Sequence, residues 1–192
     1  LIKNRYAYFL LWMGDFDKAE ALGLDAISSD PADYNGYVIL SNAYMYKKKF
    51  GEAEKSIMEG RKLFPGNADF ESLDIGQKFY SGNYEQVIQS IEPLLVKSPT
   101  AVSENLLSFL CIAHLKNGHL SESNNILRLL KEKHRDRNSS IDFGLARIYS
   151  QYQMKDSCFL SLEKSFDNRE SMFRLFKIEP VFEFIRQDKR YQ

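Results

Sequence analysis

Cysteine and histidine come close together in one segment of the chain, where they could support catalysis or bind a metal. Cys111 and His114 are three residues apart, and His119 follows five residues later. Thiolate and imidazole form nucleophile–base pairs, and both are common zinc ligands. The other interpretation is packing, because residues three apart share one face of a helix and a free cysteine behaves there as a small hydrophobe. No further ligand is near in sequence, so we favour packing.

Other catalytic motifs are missing from the sequence. It contains no glycine-rich phosphate loop, no HExxH, no CxxC pair and no GxSxG. We therefore expect a protein that is not an enzyme and that uses no cofactor and no metal ion. Two cysteines cannot form a disulfide framework, which favours a reducing compartment and a cytoplasmic location.

Charge and hydropathy argue against two classes of partner. The chain has 26 Lys plus Arg and 26 Asp plus Glu, so its formal net charge is zero. Nucleic-acid binding usually requires a basic excess, and the basic runs 47–49 and 131–137 fall at a predicted turn and a helix end. No stretch approaches the 18 or so consecutive apolar residues that suggest a membrane helix. We expect neither nucleic acid nor membrane as a partner.

A repeat of 34 residues organises most of the chain. Pro31, Pro65 and Pro99 are separated by this distance, and other residue types recur in the same register. Aromatic residues repeat at one offset and small or β-branched residues at another: Phe16, Phe50 and Tyr84, and Ala19, Ala53 and Val87. A fourth copy follows after about two extra residues, and a fifth copy is weaker.

Each copy is predicted to form two amphipathic helices. In the second copy, apolar steps of three and four predict helix A over about 33–47 and helix B over about 50–63. Pro65 then stops the chain from continuing as a helix. We attribute the small residues Ala53 and Gly60 to a close approach between helices A and B.

The period, the pattern of small and aromatic residues and the closing proline resemble tetratricopeptide (TPR) repeats. The consensus positions of the second copy are filled by Tyr37, Leu40, Tyr44, Ala53, Ile57 and Pro65. The resemblance implies an all-α, right-handed solenoid of about five helical hairpins with a C-terminal capping helical segment. The implied repeat units are 1–33, which lacks its first residue or so, 34–67, 68–101, 104–137 and a degenerate 139–172, followed by a capping tail at 173–192. Pro93 falls inside a helix of the third unit, where we expect a kink.

The tail carries a second resemblance. Residues 176–191 are similar to the sequence that closes the TPR regions of bacterial multidomain signalling proteins, with Glu179 and Lys189 in place of the usual Asp and Pro. Physically this segment would cover the apolar face of the last repeat. The residues suited to that role are Met172, Phe173, Phe176, Val181, Phe182 and Ile185.

In TPR arrays one face of helix A lines a concave groove, and in this sequence that face is aromatic. Trp12, Tyr46 and Tyr80, which we call the aromatic ladder, repeat at the 34-residue step. Leu11, Met45 and Phe79 repeat one position earlier, and an alternative role for any of these side chains is packing between repeats. The predicted groove residues are Tyr8, Trp12, Asn42, Tyr46, Phe79, Tyr80, Lys116 and Arg147.

The resemblance therefore implies a non-catalytic interaction scaffold that binds a peptide or helix with apolar or aromatic anchors. Of the residues with which some TPR domains hold chaperone carboxylates, only Asn42 has a match, so we do not expect that ligand. The alternative function is a sensory or regulatory arm of a larger bacterial signalling enzyme or transcription regulator. The chain starts without Met inside a helical pattern, so we expect a fragment whose apolar edge, at Tyr6, Phe9 and Leu10, supports weak self-association.

Overall fold

The structure, a computed structural model, describes residues 2–98, 102–137 and 141–191. Regular structure in these residues is entirely helical, which confirms the predicted all-α class. The helices are α1 (Ile2–Met13), α2 (Phe16–Ser29), α3 (Tyr34–Tyr46), α4 (Phe50–Leu63), α5 (Ala68–Tyr80), α6 (Tyr84–Lys97), α7 (Glu104–Lys116), α8 (Leu120–Arg137), α9 (Asp142–Gln151) and α10 (Lys155–Asp167), then the 3₁₀ helices η1 (Ser171–Leu175), η2 (Pro180–Ile185) and η3 (Lys189–Tyr191). None of the described helices is both long and apolar enough to cross a membrane.

The chain divides into two compact units, residues 1–83 and 84–192. The division falls in the turn between α5 and α6, which lies inside the predicted repeat unit 68–101. The helices predicted over 33–47 and 50–63 correspond to α3 and α4. Pro93 lies inside α6, and that helix continues to Lys97.

Two kinds of helix alternate along the chain. In the first compact unit each helix packs on the next, and α3 also contacts α1 and α5. In the second, α7 packs on α6, α8 and α9, and α9 packs on α10. We call α1, α3, α5, α7 and α9 the inner helices and the others the outer helices. The inner helices α3, α7 and α9 are buried over most of their length, whereas the outer helices bury only one face.

A left-handed residue ends the turn that follows each inner helix. Gly14, Gly82 and Gly118 have φ values of 80°, 82° and 79°, and Lys48 and Gln153 both have φ of 59°. The first three of these positions, 14, 48 and 82, are 34 residues apart, and the next follows after 36, which matches the two extra residues expected from the sequence. Glycine suits this conformation because it has no Cβ, and the two non-glycine residues adopt it at a conformational cost.

Small residues on the outer helices leave room for large residues of the next inner helix. A Cβ added at Gly60 of α4 would lie 2.2 Å from the Phe70 ring of α5, and one added at Gly23 of α2 would lie 2.9 Å from Leu40 of α3. The sequence-based explanation for Gly60 is therefore corrected. It allows contact with the following hairpin, whereas we had expected contact with helix A of its own hairpin.

This steric role predicts opposite effects for two glycines of α4. Gly60→Ala should lower the free energy of unfolding by about 1–3 kcal/mol, because the new methyl group overlaps the Phe70 ring. Gly51 faces open space, so Gly51→Ala should raise stability, by up to about 1 kcal/mol, through its lower backbone entropy in the unfolded chain. Urea denaturation followed by circular dichroism measures both. A Gly60→Ala variant as stable as Gly51→Ala would contradict this packing.

The C-terminal 3₁₀ helices pack on the last hairpin. η2 contacts α9, and η1 contacts α10. Of the six residues suggested for covering the last repeat, Val181, Phe182 and Ile185 are buried and the other three are half-buried. The hydroxyl of Ser150 and the side-chain amide of Gln151 both donate to the Val181 carbonyl, each at 2.7 Å. The tail is thus joined to α9 by apolar packing and by hydrogen bonds.

A carboxylate from this C-terminal region also caps α9. Glu170 accepts hydrogen bonds from the backbone N–H groups of Asp142 and Phe143, both at 2.9 Å, and from the Ser165 hydroxyl at 3.0 Å. These N–H groups belong to the first turn of the helix, where the backbone has no partner of its own and where negative charge is favourable. The start of α9 therefore depends on a residue 28 positions later.

Two phenylalanines of η2 test whether the tail stabilises the last hairpin. The Phe182 ring is fully buried against Phe143, with the ring centroids 5.5 Å apart, whereas Phe184 is exposed. Phe182→Ala should cost about 3–5 kcal/mol of stability, as expected for deleting a buried ring. Phe184→Ala is the matched control and should lower stability much less than Phe182→Ala does. Thermal unfolding curves that coincide for the two variants would rule out a stabilising tail.

Candidate functional site

The aromatic ladder lies at the C-terminal ends of α1, α3 and α5. Trp12, Tyr46 and Tyr80 occupy equivalent positions one 34-residue step apart, and all three are half-buried. The centroids of Tyr46 and Tyr80 are 5.8 Å apart, and Phe16 stacks on Tyr46 at 5.4 Å with an interplanar angle of 15°. Because these inner helices contact one another, residues one repeat apart are neighbours. The rings of Tyr46 and Tyr80 therefore adjoin, and Trp12 lies one repeat earlier on α1, where its ring stacks on Tyr8.

The residues that precede the ladder have a different role. Leu11, Met45 and Phe79 are buried, and Phe79 keeps only 4% of its surface exposed. Its ring meets that of Tyr80 edge-on, with the centroids 5.4 Å apart. Phe79 was predicted as a groove residue, but the structure places it in the packing layer beside the ladder. One step along a helix turns a side chain by about 100°, so neighbouring aromatics face different surroundings.

Tyr8 lies on α1 and Asn42 on α3, two of the inner helices that carry the ladder, and both side chains are half-buried. The Tyr8 hydroxyl donates to the side-chain oxygen of Asn35 at 3.4 Å. Burial, with smaller contributions from Asp69 and Asp33, raises the pKa of Tyr8 to about 12, so its phenol stays neutral at physiological pH. Asn42 donates its amide N–H to the Val38 carbonyl at 2.8 Å, one turn earlier in α3. Both predicted residues thus add polar groups with fixed orientations beside the ladder.

Lys116 and Arg147, the two cationic residues predicted for the groove, belong to the second compact unit and differ in burial. Lys116 is exposed at the end of α7. Arg147 of α9 is only 1% exposed, and its guanidinium donates to the carboxylate of Glu179 and to Asn105. The prediction that Arg147 lines a groove is corrected, because this side chain is enclosed by its own chain.

Aromatic rings complete the surroundings of Arg147. Its guanidinium carbon lies 4.8 Å from the centroid of Phe143 and 5.2 Å from that of Phe109. Ring faces and a carboxylate together offset the cost of removing a cation from water. Glu179 is the residue of the tail motif that replaces the usual Asp, so the acidic character of that position has a structural role here. Sequence reasoning missed the pairing because the two residues are 32 positions apart.

Among the described residues, two of the cavities lie away from the ladder. One, of about 40 Å³, lies beside Asn105, Gly144, Arg147 and Glu170, and it has room for a water molecule. The other, about 500 Å³ and open, is lined by polar residues of α1, of α2 and of the following loop. There Lys3 pairs with Asp25 at 2.8 Å and Asn4 donates to Asp33 at 3.2 Å. The polar groups at this cavity therefore pair with one another.

The two cysteines and His114 are placed for packing. The thiols of Cys111 and Cys158 are buried, and burial raises their pKa values to about 11 and about 12, so both stay protonated and weakly nucleophilic. Cys111 donates to the Ser123 carbonyl at 3.3 Å, and His114 has its ring Nε2 3.3 Å from the carboxylate of Glu92. In the described part of the chain, no three His, Cys, Asp or Glu side chains are grouped as metal ligands.

No protein-family model matches this sequence, and no curated protein matches it. The contacts described above are therefore the basis for a functional proposal.

Buried His114 predicts that stability depends on pH. Burial lowers the pKa of His114, and His119 lowers it further, whereas Glu92 and Glu122 act in the opposite direction. Because the unfolded chain then binds the proton more readily, stability should be constant at high pH and decrease as pH falls through the ordinary histidine pKa of about 6.5. His114→Gln should flatten this decrease between pH 7.5 and 6.

Urea denaturation at several pH values measures the effect. The exposed His119 provides the matched control, because His119→Gln leaves the buried imidazole in place and should keep most of the decrease. Equal pH dependence in wild type and His114→Gln would show that His114 titrates with an unshifted pKa.

Proposed function

We propose that the helical hairpins of both compact units are tetratricopeptide repeats of the right-handed solenoid type, and that the first unit binds a peptide or helix on its aromatic ladder. The 34-residue step, the left-handed turn residues and the small residues at helix contacts support the repeat type. The ladder itself supports the binding role. Its three rings are half-buried and keep part of their surface open, whereas Leu11, Met45 and Phe79, which precede them, are buried.

The ladder favours a ligand with apolar or aromatic anchors. Tyr and Trp provide a large contact area at low entropic cost and are frequent among interface hot spots. The nearby cation Lys47 is already engaged, since it pairs with Asp17 and Glu20. Asn42 and Tyr8 would supply hydrogen bonds to the ligand backbone. In this proposal the protein is a non-catalytic interaction module, and affinity comes from rings and not from charge.

The tail supports a second candidate function. The Glu179 carboxylate pairs with the buried Arg147 guanidinium. The position that is usually Asp in the similar motif therefore still carries an acidic side chain here, although the residue is Glu. This favours the likeness to the closing segment of TPR regions in bacterial signalling proteins, where the array would be a sensory or regulatory arm. The coding sequence around this segment tests it, because a cyclase, kinase or winged-helix domain there would support this candidate.

Binding by the ladder predicts a set of alanine effects. Peptides selected on the wild-type protein from a phage-displayed random library should be rich in aromatic or large apolar residues. For a labelled selected peptide, Trp12→Ala, Tyr46→Ala and Tyr80→Ala should each weaken binding by about 2 kcal/mol, or about 30-fold, in fluorescence anisotropy. Trp12 is the only tryptophan, so its emission should also shift when the peptide binds.

Phe166→Ala is the matched control, because this ring of α10 is 64% exposed but lies outside the ladder. It should leave affinity unchanged. Affinity that survives all three ladder substitutions and collapses in high salt would contradict the proposal, because recognition would then depend on charge.

A further inference from the structure

One face of α1 exposes a stripe of large apolar side chains. Tyr6, Phe9 and Met13 are 53%, 50% and 66% exposed, and their spacing places them on one side of the helix. Leu10, expected at this edge, is buried instead. We call Tyr6, Phe9 and Met13 the α1 stripe. Contiguous exposed apolar residues of this size commonly mark an interaction surface.

The internal repeat shows what covers the same positions elsewhere in the first compact unit. One repeat later, the α1 stripe corresponds to Leu40 and Ala43 of α3 and to Lys47, the residue that follows α3. All three contact the preceding outer helix, α2. Leu40 lies against Gly23, and Ala43 is buried in one cluster with Ala19. Lys47 has its ammonium nitrogen 2.6 Å from the Glu20 carboxylate.

The same arrangement occurs in the second compact unit. One position is again involved, the residue just before the left-handed turn residue, which corresponds to Met13 and Lys47 of the first unit. Here too it contacts the preceding outer helix. Asn117 donates to Glu85 of α6 at 3.3 Å, and the Tyr152 hydroxyl donates to Ser123 of α8 at 2.9 Å. Three inner helices therefore use this position to hold an outer helix, and on α1 it is occupied by exposed Met13.

We propose that the α1 stripe is a docking surface for an amphipathic α-helix, which packs on α1 as α2 packs on α3. The partner helix would present Gly or Ala where it crosses Tyr6 and Phe9, because rings of that size need the space that Gly23 gives to Leu40. It would present apolar residues near Met13, where α2 presents carboxylates to Lys47.

Charge defines one further feature of this helix. Arg5 is exposed beside the stripe, whereas its equivalent on α3, Ile39, is fully buried. Within the described residues, no carboxylate pairs with Arg5. The partner helix would therefore place an acidic residue near Arg5, where the guanidinium can form a charge-assisted hydrogen bond.

A second copy of the chain fits this surface less well than a separate helix. The small outer-helix residues that make room for a large neighbouring side chain, Gly23 and Gly60, are buried in the chain's own first compact unit. They are therefore not open to the rings of a second copy. Three side chains also cover less than the 800 Å² or so per partner that a stable interface usually buries.

The experiment uses the full chain and labelled synthetic peptides based on α2. The main probe has the sequence of residues 16–30 with Asp17→Leu and Glu20→Leu, the changes that match Met13. Fluorescence anisotropy should show saturable binding, tighter than binding of the unmodified 16–30 peptide. A probe with the additional change Gly23→Phe should bind at least tenfold more weakly, because a ring then occupies the space needed by Tyr6.

Variants of the protein locate the site. Phe9→Ser should weaken binding of the main probe at least tenfold, with an unchanged circular dichroism spectrum and melting temperature, because this ring is half-exposed. Leu24→Ser, at an equally exposed apolar residue of α2, is the matched control and should bind normally. Tyr46→Ala should also bind normally, which separates this surface from the aromatic ladder.

Three results would overturn the inference. The first is an absence of saturable binding, and the second is binding that Phe9→Ser leaves unchanged. The third is a concentration-dependent dimer, seen by light scattering, that Phe9→Ser dissociates, because the stripe would then join two copies of the chain.

Discussion

Close contact between an outer helix and the inner helix that follows it underlies the first compact unit. Gly23 receives Leu40, and Gly60 receives the ring of Phe70, at distances that leave no space for a Cβ. Such contacts determine how far one hairpin lies from the next. Because inner helices are spaced by this packing, residues one repeat apart become neighbours, as the adjoining rings of Tyr46 and Tyr80 do.

The turns and helix caps also recur from one hairpin to the next. A left-handed residue follows each inner helix, and N-terminal caps at Asp15, Asp33 and Asn67 begin helices in the first compact unit. Both features satisfy backbone groups that a helix end leaves without partners. They hold each hairpin at nearly constant length, so the register of the exposed rings is preserved from one hairpin to the next. Surface chemistry can then vary while the backbone pattern remains.

In the second compact unit, buried polar groups join α9 to more distant parts of the chain. Arg147, Glu179 and Glu170 are buried, and each joins α9 to a more distant part of the chain. A buried ion pair contributes less to stability than its Coulomb energy suggests, but removing one partner leaves a costly charge. The arrangement therefore favours one position of the tail over others, and apolar packing by Phe182 supplies much of the remaining stability.

Local features of this protein could be predicted from the sequence. Helix class, the bounds of α3 and α4, the repeat register and the apolar residues of the tail follow from periodicity, turn residues and proline, which act over a few positions. The identities of the ladder residues also follow from the period, since a 34-residue step can be counted.

Burial and partners required the tertiary structure. Sequence reasoning placed Phe79, Tyr80 and Arg147 in one groove, yet Phe79 is packed, Tyr80 is half-buried and Arg147 is enclosed by Glu179 and two rings. The purpose of Gly60 was likewise assigned to the wrong neighbour. In each case the deciding contact comes from a different helix or from the tail. The sequence alone determined which side chains share a face of each helix. Only the packing of the helices decided which of those faces remain exposed to solvent.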